Sequence, residues 1–426
     1  MAYTETTSVG FLDRLGSSFR GIIVGVVLIV AGTVLLWWNE GDFVATRDSL
    51  NEAQAITQEL GDINTVDSSK NGVLVHASGP TSTEDIVKDD LFGITVNAVR
   101  LERKVEFYQW VESSKTETKN KLGGGQEKVT TYTYSQKWVN SPVNSSSFKD
   151  PSANTNYRNT VLMTLDNFRD QARNVSFGAY RLPEFMISSI SGATSLNVTL
   201  SEETMARLNK QLASRAAQDA PRTVVELYTN ESSEETPQSL PSMVHVSAST
   251  VMLSASPSTP QIGDVRITFS ATYPAPISIL AKVVGNSFEA YRASNGKTVS
   301  RLDMGTHSLE NMYGDAHSSN ATITWILRLV GTILIIVGLK MIMAPLAVLA
   351  SVIPLLGSIV GAGAGIVSIL LGLAWSLVII AIAWLRFRPV MGVIMLVVAG
   401  GFIALLYLKG RARKAAAKAQ APATQP

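Results

Sequence analysis

The chain has 426 residues, 46% hydrophobic and only 16% charged, with a formal net charge of +2. Soluble domains carry about 25% charge, so part of this chain is expected in lipid, and neither the small net charge nor any basic aromatic patch suits a nucleic-acid partner. The absence of cysteine excludes disulfides, iron–sulfur clusters, thiolate zinc and cysteine nucleophiles.

Residues 1–20 read as a short cytosolic N-terminus. Gly21–Trp38 runs without a charge and closes on Trp37-Trp38, a pair suited to the membrane interface,. A bilayer core takes about 20 helical residues, so 21–38 is predicted as transmembrane helix 1, a retained signal-anchor. Gly21 and Gly25 stand four apart, a spacing that lets helices approach closely in lipid,.

Residues 39–324 are predicted to form a large, β-rich extracytoplasmic domain. A helical pattern continues from Asn39 to about Leu60. Strand signals follow in NGVLVHASGP, GITVNAVRLERKVEFYQWVE, YTYSQKWV, VSFGAYRL, MVHVSAS, GDVRITFSATY and PISILAKVV,. The glycines at 123–125 mark a hairpin turn between two of them. SEETMARLNKQLASRAAQ is a clear amphipathic helix, with Met205, Leu208, Leu212 and Ala216 on one face and acids in its first turn,.

The stretch VEFYQWVE, Val105 to Glu112, has two different faces when extended. Val105, Phe107, Gln109 and Val111 point one way as a core face; Glu106, Tyr108, Trp110 and Glu112 point the other,. The two carboxylates lie about 20 Å apart at the strand rise, whereas a glycosidase pair needs roughly 5–10 Å. These four residues form a candidate ligand or partner strip.

Transmembrane helix 2 is predicted at 325–344, with Arg328 and Lys340 near opposite ends and expected to snorkel toward headgroups,. Pro345, Pro354 and the glycines between 357 and 365 suggest a re-entrant or interfacial segment over 345–364. Within it Gly357, Gly361 and Gly365 repeat the four-residue packing spacing. Transmembrane helix 3 follows at 365–384, helix 4 at 389–408, and a basic, disordered cytosolic tail at 409–426. Four spans put both termini on one side, and the tail's KGRARK makes that side the cytosol. The large domain is then periplasmic or lumenal. The RFRP loop, with Arg386 and Arg388, falls on the wrong side for the positive-inside rule.

No catalytic constellation emerges. His76, His245, His307 and His317 show no metal-ligand spacing, and no GxSxG elbow occurs,. Asn295–Thr298 ends like a phosphate-binding loop but has Tyr291 where the first glycine belongs,. A non-enzymatic protein with no cofactor and no metal is expected.

The order FLDRL, a span closed by NEG at Asn39–Gly41, LVH, VEFYQWVE, YTYSQKW, GDVRITFS, HSLENMY and TWILRLVGTILIIVGLKMI resembles the transmembrane protein 43 (LUMA) family over nearly the whole chain. That resemblance implies four spans, a large lumenal or periplasmic domain and a role in organising membrane protein complexes. Animal members are associated with the endoplasmic reticulum and inner nuclear membrane; the short N-terminus here suits a bacterial inner-membrane member. One departure is SSSFKDPSANTN, which keeps only Pro151 of an expected G-H-x-N-P-like segment. The expected fold is an α+β membrane protein with one N-terminal and three C-terminal transmembrane helices flanking the β-rich domain. The expected function is a scaffold whose partners are the bilayer, a second copy of itself and other membrane proteins. The alternative is a module that binds or senses lipid or a lipid-like ligand.

Overall fold

The computed structural model describes residues 2–219, 242–390, 392–394 and 397. The chain divides into two compact units. The first holds Met1–Thr7, Ala53–Thr118 and Lys128–Tyr313; the second holds Ser8–Glu52, Lys119–Glu127 and the chain from Gly314 on.

The first unit is built on strands β1 (Ala2–Val9), β2 (Leu74–Ser82), β3 (Arg100–Asn120), β4 (Gln126–Val139), β5 (Val244–Ser247), β6 (Thr250–Leu253), β7 (Val265–Thr272) and β8 (Pro276–Val284). One sheet runs β1-β4-β3-β7-β6-β5, with Phe168–Gln171 added beside β3 and Thr194–Ser195 beside β7. A second centres on β2 and β8, antiparallel from Pro276↔Pro80 to Lys282↔Leu74. Alternation explains the layering: Leu101, Val105 and Phe107 of β3, Val265, Ile267, Phe269 and Ala271 of β7, and Ile277, Ile279, Ala281 and Val283 of β8 share one core,. Arg103 enters that core paired with Asp89 at 2.5 Å, the guanidinium also lying over the Phe92 and Phe168 rings.

The predicted amphipathic helix is present at Glu202–Asp219, with Leu208 and Leu212 buried. The N-terminus differs from expectation. Within the expected N-terminal segment 1–20, Ala2–Val9 is the edge strand beside β4, as the aromatic and β-branched residues of AYTETTSV favour,. Tyr3 stacks on Tyr132 with centroids 6.0 Å apart, and the Tyr132 hydroxyl donates to Glu5.

The second unit is helical. Among the described residues three helices are long and apolar enough to cross a membrane: α1 (Phe11–Ile56), and, beyond the one-turn helices and the amphipathic helix of the first unit, Leu309–Ala350 and Pro354–Phe387, called here the second and third apolar helices. At 1.5 Å per residue α1 is about 69 Å long, far beyond the roughly 30 Å of hydrocarbon, so predicted span 21–38 and the helix after it are one continuous rod. Pro345 lies inside the second apolar helix. Where 345–364 was expected to re-enter or lie on the surface, the non-helical break narrows to residues 351–353. Pro354 occupies the first turn of the third helix, where its missing N–H costs nothing,. The glycines beyond it stay helical, as an apolar run must pair its own backbone. The predicted fourth span, 389–408, lies largely outside the described residues, as does the tail 409–426.

The β3–β4 turn joins this unit. Gly123 and Gly124 take positive φ, +83° and +80°, which glycine alone adopts freely. Gly123 N–H donates to Val352 C=O at 3.1 Å, while Arg14 bonds Gly124 C=O and, at 3.1 Å, Ser351 Oγ.

Candidate functional site

The outward face of β3 carries the predicted strip. Glu106, Tyr108, Trp110 and Glu112 are all half-buried, while Val105, Phe107 and Gln109 are buried beneath. Glu106 is held by Arg266 of β7, with Nη2 at 2.7 Å and Nε at 2.9 Å, and by Lys104 at 2.9 Å. These cations hold its carboxyl below the usual carboxylate range against the opposing effect of burial. The Arg266 guanidinium lies 4.4 Å from the Trp138 ring centre, and Trp138 meets Tyr108 at 5.2 Å. Further along, Trp110 makes an edge contact with Tyr157 at 5.0 Å, and Tyr157 stacks on Tyr134 at 4.1 Å. The Tyr134 hydroxyl donates to Glu112 at 2.7 Å and accepts from Asp150 N–H at 3.1 Å. Burial, then the bond to Glu112, pushes its phenol up to about 12.

The strip is thus an aromatic layer built from β3, β4 and the loop through Tyr157, fastened at Glu106 and at Glu112. Both carboxylates are engaged by structural donors. Trp138, Tyr134, Tyr157 and Arg266 are members that sequence inspection missed. The cue was available in YTYSQKW, whose Tyr134 and Trp138 are an even four residues apart on the strand expected to pair with VEFYQWVE,.

In the helical unit, α1 and the second apolar helix meet in one antiparallel register. A Cβ on Gly25 would lie 2.6 Å from Gly338 O, and one on Gly32 would lie 2.7 Å from Gly331 O. The same register continues in Asn39 Nδ2 donating to Thr324 C=O at 3.2 Å and Asn320 Nδ2 to Phe43 C=O at 3.1 Å. The contact therefore repeats every seven residues, at 25, 32 and 39 against 338, 331 and 324. Of the glycines named for packing, Gly25 lies in this contact and Gly21 reaches only Met341 Cε at 3.8 Å. Gly357 abuts Ser351 of the preceding turn, Gly361 touches Ala347 at 3.8 Å, and Gly365 meets nothing within 4 Å among the described residues. On the third apolar helix Gly372 instead receives Ile336.

At the Asn39 end of these helices sits a charged centre. Glu40 is fully buried; Arg328 donates to it through Nε at 2.5 Å and Nη2 at 2.9 Å, and Trp384 Nε1 donates at 2.8 Å. Arg328 is therefore an ion-pair partner rather than a snorkelling cation, because a buried carboxylate faces it from α1. Its guanidinium also lies 4.6 Å from the Trp325 ring. Arg388 caps the centre, 4.2 Å from the Phe43 ring and 5.6 Å from Trp384. The glycine of NEG has its own reason: a Cβ on Gly41 would meet Phe387 at 2.9 Å.

His76 and His307 meet side chain to backbone, and His245 bonds elsewhere. His76 places Nδ1 2.8 Å from Glu59 and Nε2 3.0 Å from His307 C=O, while His245 Nε2 faces Ser254 C=O at 3.0 Å.

A family model described as Transmembrane protein 43 matches residues 107–389, a range that includes Tyr108, Trp110, Glu112, Arg328, Trp384 and Arg388. The chain is 26% identical over 396 residues to transmembrane protein 43 of Mus musculus, covering 91% of this chain and 89% of that relative. It is 25% identical over 391 residues to the Homo sapiens protein, covering 89% and 88%. With the transmembrane protein 43 homolog of Drosophila melanogaster it shares 26% over 395 residues, covering 90% and 93%. No solved structure matches the chain.

Proposed function

The chain belongs to the transmembrane protein 43 family, and from that premise we propose that it is a non-enzymatic integral membrane protein that scaffolds membrane protein complexes, itself included, through its β-rich domain. The observation that carries this reading is the half-exposed layer of Tyr108, Trp110, Trp138 and Arg266. Trp, Tyr and Arg are the side chains that dominate binding energy at protein interfaces. Here they are already ordered by ring contacts and by the Glu106–Arg266 bonds, which lowers the entropy cost of docking. The non-enzymatic character is supported by Glu106 and Glu112, which are spent on fixed donors rather than aimed at a shared space. The basic tail supports a cytosolic C-terminus,.

A photo-crosslinking amino acid at position 138 or 108 of the full chain in nanodiscs tests this. Discrete adducts are expected, one at twice the chain mass, and both weaken when Arg266→Ala loosens the layer. A strictly monomeric chain with no discrete adduct from either position refutes the proposal.

A further inference from the structure

Around Glu40 two guanidiniums reach the same end of the helices, yet only one is matched. Arg328 sets its Nε–Nη2 edge, the fork that fits a planar or tetrahedral oxyanion with two parallel bonds, against the Glu40 carboxylate. Glu40 thus already accepts three bonds, since Oε2 also accepts from Trp384. The same edge of Arg388 is buried, and among the described residues its Nε and Nη2 have no hydrogen-bond partner. Its positions over Phe43 and Trp384 satisfy the face of the guanidinium, not its N–H edge. Among the described residues, the other charges that reach Arg388 are Glu40, Asp48, Arg47 and Arg328. Asp48 is bonded to Arg47 at 2.8 Å and Glu40 to Arg328, so these cancel in pairs and leave the charge of Arg388 over. Arg386, exposed two residues earlier, adds a second cation.

A buried guanidinium edge without an acceptor is costly, and an anion removes that cost. The surroundings identify its kind. Trp37, Trp38 and Trp325 are exposed at this end of the helices, at 39%, 55% and 67%, and exposed tryptophans gather at headgroup depth. Arg388 is itself only half-buried and is flanked by exposed Arg386 and Pro389, so a headgroup-level group can reach the edge by a small side-chain shift. We infer that Arg388, backed by the Glu40–Arg328–Trp384 centre and assisted by Arg386, binds a phosphate group, supplied by an anionic phospholipid headgroup or by free phosphate. The site is independent of the aromatic strip, and failure of one leaves the other standing.

The test is native mass spectrometry of the full chain in mild detergent. One arm adds equal amounts of phosphatidylglycerol and phosphatidylcholine with the same acyl chains; a second adds inorganic phosphate alone. The wild-type chain is expected to retain phosphatidylglycerol over phosphatidylcholine. Arg388→Gln loses about tenfold in that retention, the scale of one charge-assisted bond pair. Arg386→Gln loses less than about threefold, since that side chain is exposed. Should Arg388→Gln fail to fold, Arg388→Lys decides: it keeps the charge but not the fork, and is expected to fall between the two. A phosphate adduct that depends on Arg388, without preference between the lipids, supports the site with free phosphate as its ligand. Equal retention by wild type and the Arg388 variants, or no Arg388-dependent adduct in either arm, overturns the inference.

Discussion

Replacing Gly25 by alanine places a Cβ 2.6 Å from the carbonyl oxygen of Gly338 and 3.0 Å from Ile342 Cγ1, where ordinary contact begins near 3.4 Å. The obstacle is backbone, so it cannot rotate aside; α1 and the helix opposite must separate by most of an ångström. Overpacking of this kind costs about 1–3 kcal/mol. Against it stands the gain of up to about 1 kcal/mol from exchanging glycine for alanine within a helix. A net loss of about 1–2 kcal/mol is expected. Gly338→Ala acts on the same gap, with its Cβ 2.5 Å from Gly25 O, so the double variant should cost clearly less than the two singles added. Gly363→Ala is the control: it meets nothing within 4 Å among the described residues and should be neutral or slightly stabilising. The assay is the folded fraction of detergent-solubilised protein against increasing dodecyl sulfate. Gly25→Ala as stable as Gly363→Ala, or strict additivity with Gly338→Ala, would refute the close-contact argument.

Glu40→Gln leaves Arg328 buried without its counter-charge and should lower stability in the same assay by about 3–5 kcal/mol, while Glu40→Met with Arg328→Met recovers nearly all of the loss; an unchanged Glu40→Gln profile would count against the ion pair. Tyr134 resists ionisation, so the difference in tyrosinate absorbance between wild type and Tyr134→Phe should centre near pH 12 rather than 10,. Because its folded value is the higher one, the stabilisation it contributes is complete below about pH 10 and is lost as pH rises through 12; a transition at pH 10 contradicts the Glu112 bond. Gly178 has φ +61° and its Cβ would fall 2.1 Å from Ile63 O, so Gly178→Ala should lower the thermal midpoint with a cost of about 2 kcal/mol or more.

Much of the sheet was readable because alternation reports burial directly. VEFYQWVE sorts into buried Val105, Phe107 and Gln109 and half-buried Glu106, Tyr108 and Trp110 as its spacing requires, but Val111, expected on the core face, is half-buried like Glu112. The start of β2 follows from Asn71-Gly72, where Gly72 takes φ +80°. What alternation cannot show is which strand lies alongside. The partners of Tyr108 and Glu106 come from positions 138 and 266, and nothing local to 105–112 points to them. The N-terminal strand was missed for a related reason. Edge strands hold few buried residues, and the adjacent apolar run led residues 1–20 to be read as no more than a short cytosolic N-terminus. Pro345 and the glycines between 357 and 365 lie within helices: the proline and glycine penalties are measured in water, where a broken helix can bond solvent, and hydrocarbon offers no such alternative.

The charged centre and the glycine register belong to one problem that neither solves alone. Gly25 and Gly32 are seven apart, and so are Gly331 and Gly338, which brings the backbones together at two levels. That regularity is also a weakness. Sliding one helix by seven residues would bring Gly32 opposite Gly338 and keep one of the two close contacts, in a medium where apolar burial scarcely distinguishes the registers. Glu40 and Arg328 remove the ambiguity, since the slipped helix would carry a buried carboxylate past its bidentate partner. Trp384 adds a third helix to the same carboxylate. A buried ion pair contributes little net stability against an apolar pair of equal volume, so register is the more economical account of its presence. If so, Glu40→Met with Arg328→Met should fold with near-native stability yet lose uniqueness. Cysteine pairs placed at 25 and 338, which crosslink efficiently in the parent, would then crosslink in part between 32 and 338; crosslinking confined to the parental pair would show that the glycines specify register unaided.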